Sequence, residues 1–329
     1  MTAPAPAPAP WVDIVVLGEI NPDVVVTGVP AMSFHQREDI TGPTTMTVGS
    51  SVAISACGLA RLGTATAIVG VVGDDAFGEF MLSRLRARDV DVSAVRQVPG
   101  GRTGSSVILV RREDTSDRQI LTDPGVMGDL RAADLSLSAL DRVRHLHIGS
   151  WFLHLGAVPD LPELLAEARR RGVSTSVDPN DDPAGEWDAH LPRALPHVET
   201  LFCNESEARG VAGATGWSGD GSRHDAARYL LRQLAPGGVV VLKCGAEGAF
   251  VHTGTVTAHV AAPASEVVDT VGAGDSLAAG YLHARLRGAE LEEALRLAVA
   301  CGTLSTRRSG GVDAQPTRDE AEQLAQQLT

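Results

Sequence analysis

Cysteine is scarce and scattered in this chain. Cys57, Cys203, Cys244 and Cys301 are its only four, and none forms a Cys-x-x-Cys pair. That excludes a disulfide framework and a clustered zinc site and leaves the expectation of buried, reduced thiols in a cytoplasmic protein. Basic charge is short as well: 28 Lys and Arg stand against 41 Asp and Glu, a formal net charge of −13. That balance disfavours a surface for nucleic acid or a polybasic membrane anchor. Any anionic ligand would need local help from a helix N-terminus, a metal ion or a single Lys. No apolar run reaches the length of a membrane span. The Ala-Pro alternation from Ala3 to Pro10 has neither the basic start nor the apolar core of a signal peptide. Residues 1–11 are therefore expected to be a disordered, extended tail, with a single domain over 12–329.

What is present is an α/β rhythm. Continuous apolar runs at Val12–Leu17, Ala65–Val72, Val143–Ile148, Val173–Val177, Val198–Cys203 and Val239–Leu242 read as buried strands of a mostly parallel sheet. Between them, Phe77–Leu85, Leu161–Arg171 and His224–Leu234 carry helical periodicity, and Val48-Gly49-Ser50-Ser51 opens a helix bearing Ala53, Ala56, Cys57 and Ala60 on one face. The fold class expected is α/β, a doubly wound three-layer domain without internal repeats. Two segments, about 20–48 and 100–125, lack that rhythm and carry β-favouring pieces such as Ser105–Val110 and Arg118–Leu121. They are expected to form a small separate β-sheet, either a lid over the site or an edge extension.

One stretch concentrates the chemistry: Val268-Asp269-Thr270-Val271-Gly272-Ala273-Gly274-Asp275, followed by residues at helical spacing. Gly272 and Gly274 let backbone N–H groups approach an anion at the positive end of a helix. Asp275 among them suits a general base in phosphoryl transfer, or alternatively a helix cap. Ligands of open α/β sheets bind at the carboxyl ends of strands. Polar residues fall there repeatedly: Glu19, Asn21 and Asp23; Asp178-Pro179-Asn180; Asn204 and Glu207; and Lys243 with Gly245 and Gly248. Asn21-Pro22-Asp23 also reads as an ordinary turn, and Asn204-x-x-Glu207 as a capping box. Lys243 reads either as a phosphate neighbour or as a solvated side chain. His145 and His147 alternate on one strand without a third ligand at metal spacing, and Trp151 and Phe152 either wall a pocket or fill the core.

Taken together, these stretches resemble the ribokinase-like, or phosphofructokinase-B, carbohydrate kinases. Asp269 to Asp275 is similar to that family's C-terminal signature. Gly18 to Asp23, Ala60-Arg61-Leu62-Gly63 with Gly70 to Asp74, Asp178-Pro179-Asn180, Asn204 to Glu207 and Gly245 to Ala249 follow in the family's order. The resemblance implies ATP and Mg²⁺, with a sugar or nucleoside as substrate. Asp275 would be the base, and the amides of Gly272, Ala273 and Gly274 an anion hole. Asn21, Asp23, Gly49, Ser50 and Asn180 would hold the substrate, and Asn204 and Glu207 would organise Mg²⁺ through water. Lys243, Gly245 and Gly248 would line the nucleotide site, with Ala298 to Cys301 flanking the adenine. A monovalent cation such as K⁺ is implied at Asp269, Val271, Ser305, Arg308 and Gly310, the first two through backbone oxygens. Two departures stand out. Ile54 occupies the place of an Asn that contacts sugar, with Ser50 or Ser51 as substitutes, and Asp181 occupies that of a basic residue. A lid of β-segments also suggests pairing of two subunits into a homodimer.

Overall fold

The computed structural model describes residues 11–30, 38–111, 118–219 and 221–329. The expected tail at 1–10, parts of both lid segments at 31–37 and 112–117, and residue 220 lie outside them. Trp11, counted with the tail, belongs to the domain: its N–H donates to Arg142 O at 2.7 Å, and Nε1 reaches Asp91 Oδ2 at 2.7 Å.

The strands in chain order are β1 (Ile14–Leu17), β2 (Pro22–Val29), β3 (Thr44–Val48), β4 (Thr66–Gly73), β5 (Val95–Val98), β6 (Ser105–Arg111), β7 (Arg118–Asp123), β8 (His145–Gly149), β9 (Ser174–Asp178), β10 (Thr200–Cys203), β11 (Val239–Lys243), β12 (Ala249–His252) and β13 (Thr257–Val260). The helices are α1 (Ser51–Arg61), α2 (Ala76–Arg86), α3 (Leu161–Arg170), α4 (Leu191–Ala194), α5 (Glu205–Ala214), α6 (Arg223–Leu231), α7 (Ala273–Leu286), α8 (Leu291–Ser305) and α9 (Arg318–Ala325).

Among the described residues, nine strands form the main sheet in the order β13-β12-β11-β10-β9-β8-β1-β4-β5. Pairing is parallel from β11 to β5, and the hairpin β12–β13 adds an antiparallel edge. The strand period of two divides the apolar runs between two cores. Val15 and Leu17 face a core shared with α3, α5 and α6, while Ile14 and Val16 face one built with α1, α2, α7 and α8. Burial on both faces explains why these strands read as unbroken apolar runs.

The lid is real and separate. Strands β3-β2-β6-β7 form a second sheet in which Asp23 lies opposite both Thr47 and Ser106. Asn21-Pro22-Asp23 is thus the entry into a lid strand rather than a free turn. Strand β7 is exposed along most of its length, Ile120 and Leu121 included, so no buried face imposes an alternating pattern on it. The edge hairpin β12–β13 and strand β5 have no counterpart in the sequence expectations; they are short, and β5 and β13 carry little buried surface.

Candidate active site

Helix α7 begins at the carboxyl edge of the sheet, with Gly272 as its N-cap in the left-handed region at φ 71°. A Cβ there would sit 2.9 Å from both Gly311 Cα and Ile54 Cγ2, so glycine is required by conformation and by space. Ala273 N already donates to Thr270 O at 3.3 Å. That leaves the amides of Gly272 and Gly274 as the members of the expected trio without a backbone partner among the described residues. Asp275 follows within the first turn and is buried. Burial pushes its carboxyl up to about 8; the charge of Asp178 adds to this, Lys243 opposes it, Glu19 adds again, and the Ser51 hydroxyl favours ionisation.

Lys243, the chain's only lysine, ends β11. It is not a solvated side chain, one of the two expectations. Its Nζ lies 2.8 Å from both oxygens of Asp178 and 3.5 Å from Glu207 Oε2, in a buried cluster. Burial works against its charge, yet the two carboxylates outweigh that and hold its pKa above the ordinary lysine value. The aliphatic stem of Lys243 borders Gly274, where an added Cβ would lie 3.4 Å from Cδ. The cluster therefore stands directly behind the anion loop.

Asn204 and Glu207 form the capping box of α5. Asn204 N donates to Glu207 Oε2 at 2.7 Å, Glu207 N donates to Asn204 Oδ1 at 2.9 Å, and Asn204 Nδ2 donates to Glu207 Oε1 at 2.7 Å. Burial raises the Glu207 pKa, partly offset by Lys243. Gly245 and Gly248 make the turn between β11 and β12. At Gly248, φ is 89° and a Cβ would lie 2.0 Å from Val260 O, whereas Gly245 opens onto free space. Ala298 to Cys301 are buried within α8 and present no surface to a ligand.

The substrate-side residues divide. Asp23 lies across Gly49, where a Cβ would come within 2.1 Å of Oδ1. Burial pushes the Asp23 carboxyl up to about 7, opposed by Arg118 on β7 and reinforced by Asp269. Asn21 Nδ2 reaches Ser106 Oγ at 3.4 Å. These three positions, Asn21, Asp23 and Gly49, lie where the lid strands β2 and β3 join the main domain. The Ser50 hydroxyl is engaged within the protein. The residue is the N-cap of α1 at φ 67°, and its hydroxyl donates to Glu19 O at 2.6 Å while accepting from Ala53 N. Asn180, at φ 55°, spends Oδ1 on Ser150 N at 2.9 Å and Ser150 Oγ at 3.3 Å. Ile54 is buried, its side chain against Gly272 and Gly311, so the site gains packing where a polar contact was missing.

In the expected cation loop, Asp269 Oδ1 accepts from Val271 N at 2.9 Å, and Oδ2 accepts from Gly310 N at 2.9 Å and Ser309 Oγ at 3.3 Å. Asp269 N also reaches Thr306 O, bringing the end of α8 alongside. Ser305 is buried, with Oγ donating to Gly302 O at 2.8 Å, and Arg308 is exposed. Trp151 and Phe152 wall no pocket: both are core residues, with Trp151 Nε1 donating to Ala189 O at 2.8 Å and Phe152 edge-on to Trp187. His145 and His147 share Ser176 Oγ at 2.7 and 2.8 Å, and among the described residues no group of three or more His, Cys, Asp or Glu is placed to hold a metal.

Glu19 belongs to the site although only its position at a strand end pointed to it. Its Oε1 accepts from Ser150 Oγ at 2.8 Å and Ser51 N at 3.1 Å, Oε2 is buried without a partner, and burial pushes the carboxyl up to about 7. The lid reaches the anion loop through Arg118 Nη1 and Thr270 Oγ1 at 3.4 Å. Volume would mislead here: a cavity of 770 Å³ lies at the other end of α7, around His283, Arg287 and Arg296.

A helix N-terminus of glycine amides, a buried carboxyl inside it and a β lid above it define a phosphoryl-transfer enzyme of the ribokinase fold. Solved structures share that fold. A ribokinase II of E. coli, solved with ATP and Mg²⁺, superimposes with a TM-score of 0.82 at 24% identity, over 96% of this chain and all of its own. Arabidopsis thaliana ribokinase, complexed with ribose and ATP, gives 0.81 at 22% identity, over 97% and 99%. The family model described as pfkB family carbohydrate kinase matches residues 13–318, and the chain belongs to that family. It is a sugar kinase. Relatives include the ATP-dependent ribose-1-phosphate kinase of Halopiger xanaduensis, 30% identical over 82% of this chain and 84% of the relative, and the 2-dehydro-3-deoxygluconokinase of Bacillus subtilis, 30% identical over 80% and 82%.

Proposed function

We propose that the chain transfers the γ-phosphoryl group of ATP to a hydroxyl of a sugar or sugar-like molecule, with Asp275 as general base. One observation carries this reading: Asp275 is buried in the first turn of α7, beside amides that lack backbone partners and within reach of the charges of Asp178, Lys243 and Glu19 at the strand ends. A carboxyl with a raised pKa, poised to take a proton as the sugar oxygen attacks, suits that role. The amides of Gly272 and Gly274, with Ala273 released from Thr270, stabilise the transferring phosphoryl group. Gly245 and Gly248 line the nucleotide side, and Lys243 acts from behind, holding Asp178 and Glu207 in place.

The oxygen donors of Asn204 and Glu207 suit Mg²⁺ held through water, because their direct lone pairs are largely committed to the capping box and to Lys243. Bound there, the ion would neutralise phosphate charge. K⁺ is assigned to the loop of Asp269, Val271, Ser305, Arg308 and Gly310, a reading supported by the bonds that draw residues 269–271, 306 and 310 together. Exposed Met46, Ile120 and Leu121 on the lid support a homodimer, and four free cysteines support a cytoplasmic setting. The nucleoside alternative loses its stacking residues, since Trp151 and Phe152 are core.

The test is ADP release across pentoses, hexoses, sugar acids, sugar phosphates and nucleosides, with Mg²⁺ and with or without K⁺. Turnover with one sugar class is expected. ATP consumption with none of them would refute the reading and leave a binding protein.

A further inference from the structure

Catalysis in this site depends on two helix N-termini meeting correctly. Helix α1 brings Gly49, Ser50 and Ser51, just outside or within its first turn, and its position is fixed below by Ile54 against Gly272. Helix α7 brings the anion loop and Asp275. The two are neighbours with no salt bridge between them among the described residues. A direct polar link, Ser55 Oγ to Asp275 O, is long at 3.3 Å.

The shorter link comes from outside both helices. Gln315, on the segment that follows Gly310 and Gly311, is buried, and its Nε2 donates to Ile54 O at 2.8 Å and to Ser276 Oγ at 3.1 Å. The amide is wedged at a point where α1 carries a glycine: a Cβ on Gly58 would lie 3.0 Å from Gln315 Nε2 and 3.0 Å from Ala279 Cβ. One buried amide thus reaches a backbone oxygen of α1 and the hydroxyl next to Asp275 on α7. We propose that Gln315 is a positioning residue that fixes the spacing between the substrate-holding end of α1 and the Asp275 loop. This rests on the kinase reading above. It touches neither substrate nor nucleotide, so its effect falls on alignment rather than on ground-state binding, and misplacement by about 1 Å costs up to about 10²-fold in rate.

Gln315→Met keeps the volume and removes both hydrogen bonds. The expected result is a kcat at least tenfold lower, with KM for ATP within threefold and hydrogen exchange of amides 272–276 at least fivefold faster, while exchange in β4 is unchanged. A variant with kcat within twofold of the native enzyme, or with unchanged exchange at 272–276, overturns the proposal whatever the other readout does. Should Gln315→Met fail to fold, Ser276→Ala, which removes one of the two bonds, and Gly58→Ala, which pushes the amide away, are read in the same way. An inactive Asp275→Asn beside a fully active Gln315→Met sinks the clamp alone. If the native enzyme turns over nothing in the panel, the kinase reading is what fails, and the exchange measurement decides whether the clamp exists.

Discussion

Replacing Asp275 by Asn separates chemistry from stability at one atom. In the proposed role of base, the carboxylate would supply about 10²–10⁴ in kcat, or roughly 3–5 kcal/mol of barrier. The same burial that tunes it makes it costly to the fold. Its carboxyl titrates near 8 in the folded chain against an ordinary 3.8. A group whose folded pKa is raised gives its full stability below the unfolded value and loses it as pH climbs through the folded one. Between 3.8 and pH 7, at about 1.36 kcal/mol per pH unit, that loss is about 4 kcal/mol. Asn does not titrate and pays only an amide desolvation of about 1–3 kcal/mol. Asp275→Asn is therefore expected to lose activity while gaining about 1–3 kcal/mol of stability at pH 7. The gain should fall to zero between about pH 4.5 and about pH 6, turn into a loss below that, and level off above pH 8. ADP release at saturating substrate reads the first effect, and thermal unfolding from pH 4 to 9 reads the second. In the native enzyme, kcat/KM should climb with pH toward about 8. A variant with kcat within threefold of native refutes the base, and a variant less stable than native at pH 7 refutes the burial argument.

Gly49→Ala places a methyl 2.1 Å from Asp23 Oδ1, so Asp23 must move; KM for the sugar should rise at least tenfold with ATP binding retained, and an unchanged KM counts against Asp23 as a substrate contact. Lys243→Met strands the buried carboxyls of Asp178 and Glu207 and should cost about 3–5 kcal/mol at pH 7 by urea unfolding. That deficit should shrink at pH 5 as Glu207, whose pKa burial raises, takes up a proton, and equal losses at both pH values would contradict the ion-cluster account. Exchanging Mg²⁺ for none should abolish ADP release without altering the unfolding midpoint, since the capping box and Lys243 hold Glu207 without the ion; an unfolding shift would show that the ion holds the fold.

Some residues announced themselves and others could not. The parallel strands were visible because both their faces are buried, and Gly272 to Asp275 because glycine spacing and a carboxylate sit within one turn. Ser50 looked like a sugar contact because a hydroxyl in sequence carries no record of its partner, and here the partner is Glu19 O on the preceding strand end. Trp151 and Phe152 looked equally able to stack on a ligand or fill a core, and only their surroundings at Ala189 and Trp187 decide. Strand β3 left little trace because its exposed face imposes no alternation.

The amino-acid order by itself determined the layered α/β rhythm, the glycine loop at the start of α7 and the carboxyl within it, because these follow from periods of two and 3.6 and from backbone freedom at glycine. Tertiary structure alone decided that Lys243 pairs with Asp178, that Gly49 admits Asp23, and that Gln315 ties α1 to α7. Each of those is a contact between residues far apart in the chain, and no local pattern constrains which distant partner a buried polar group will meet.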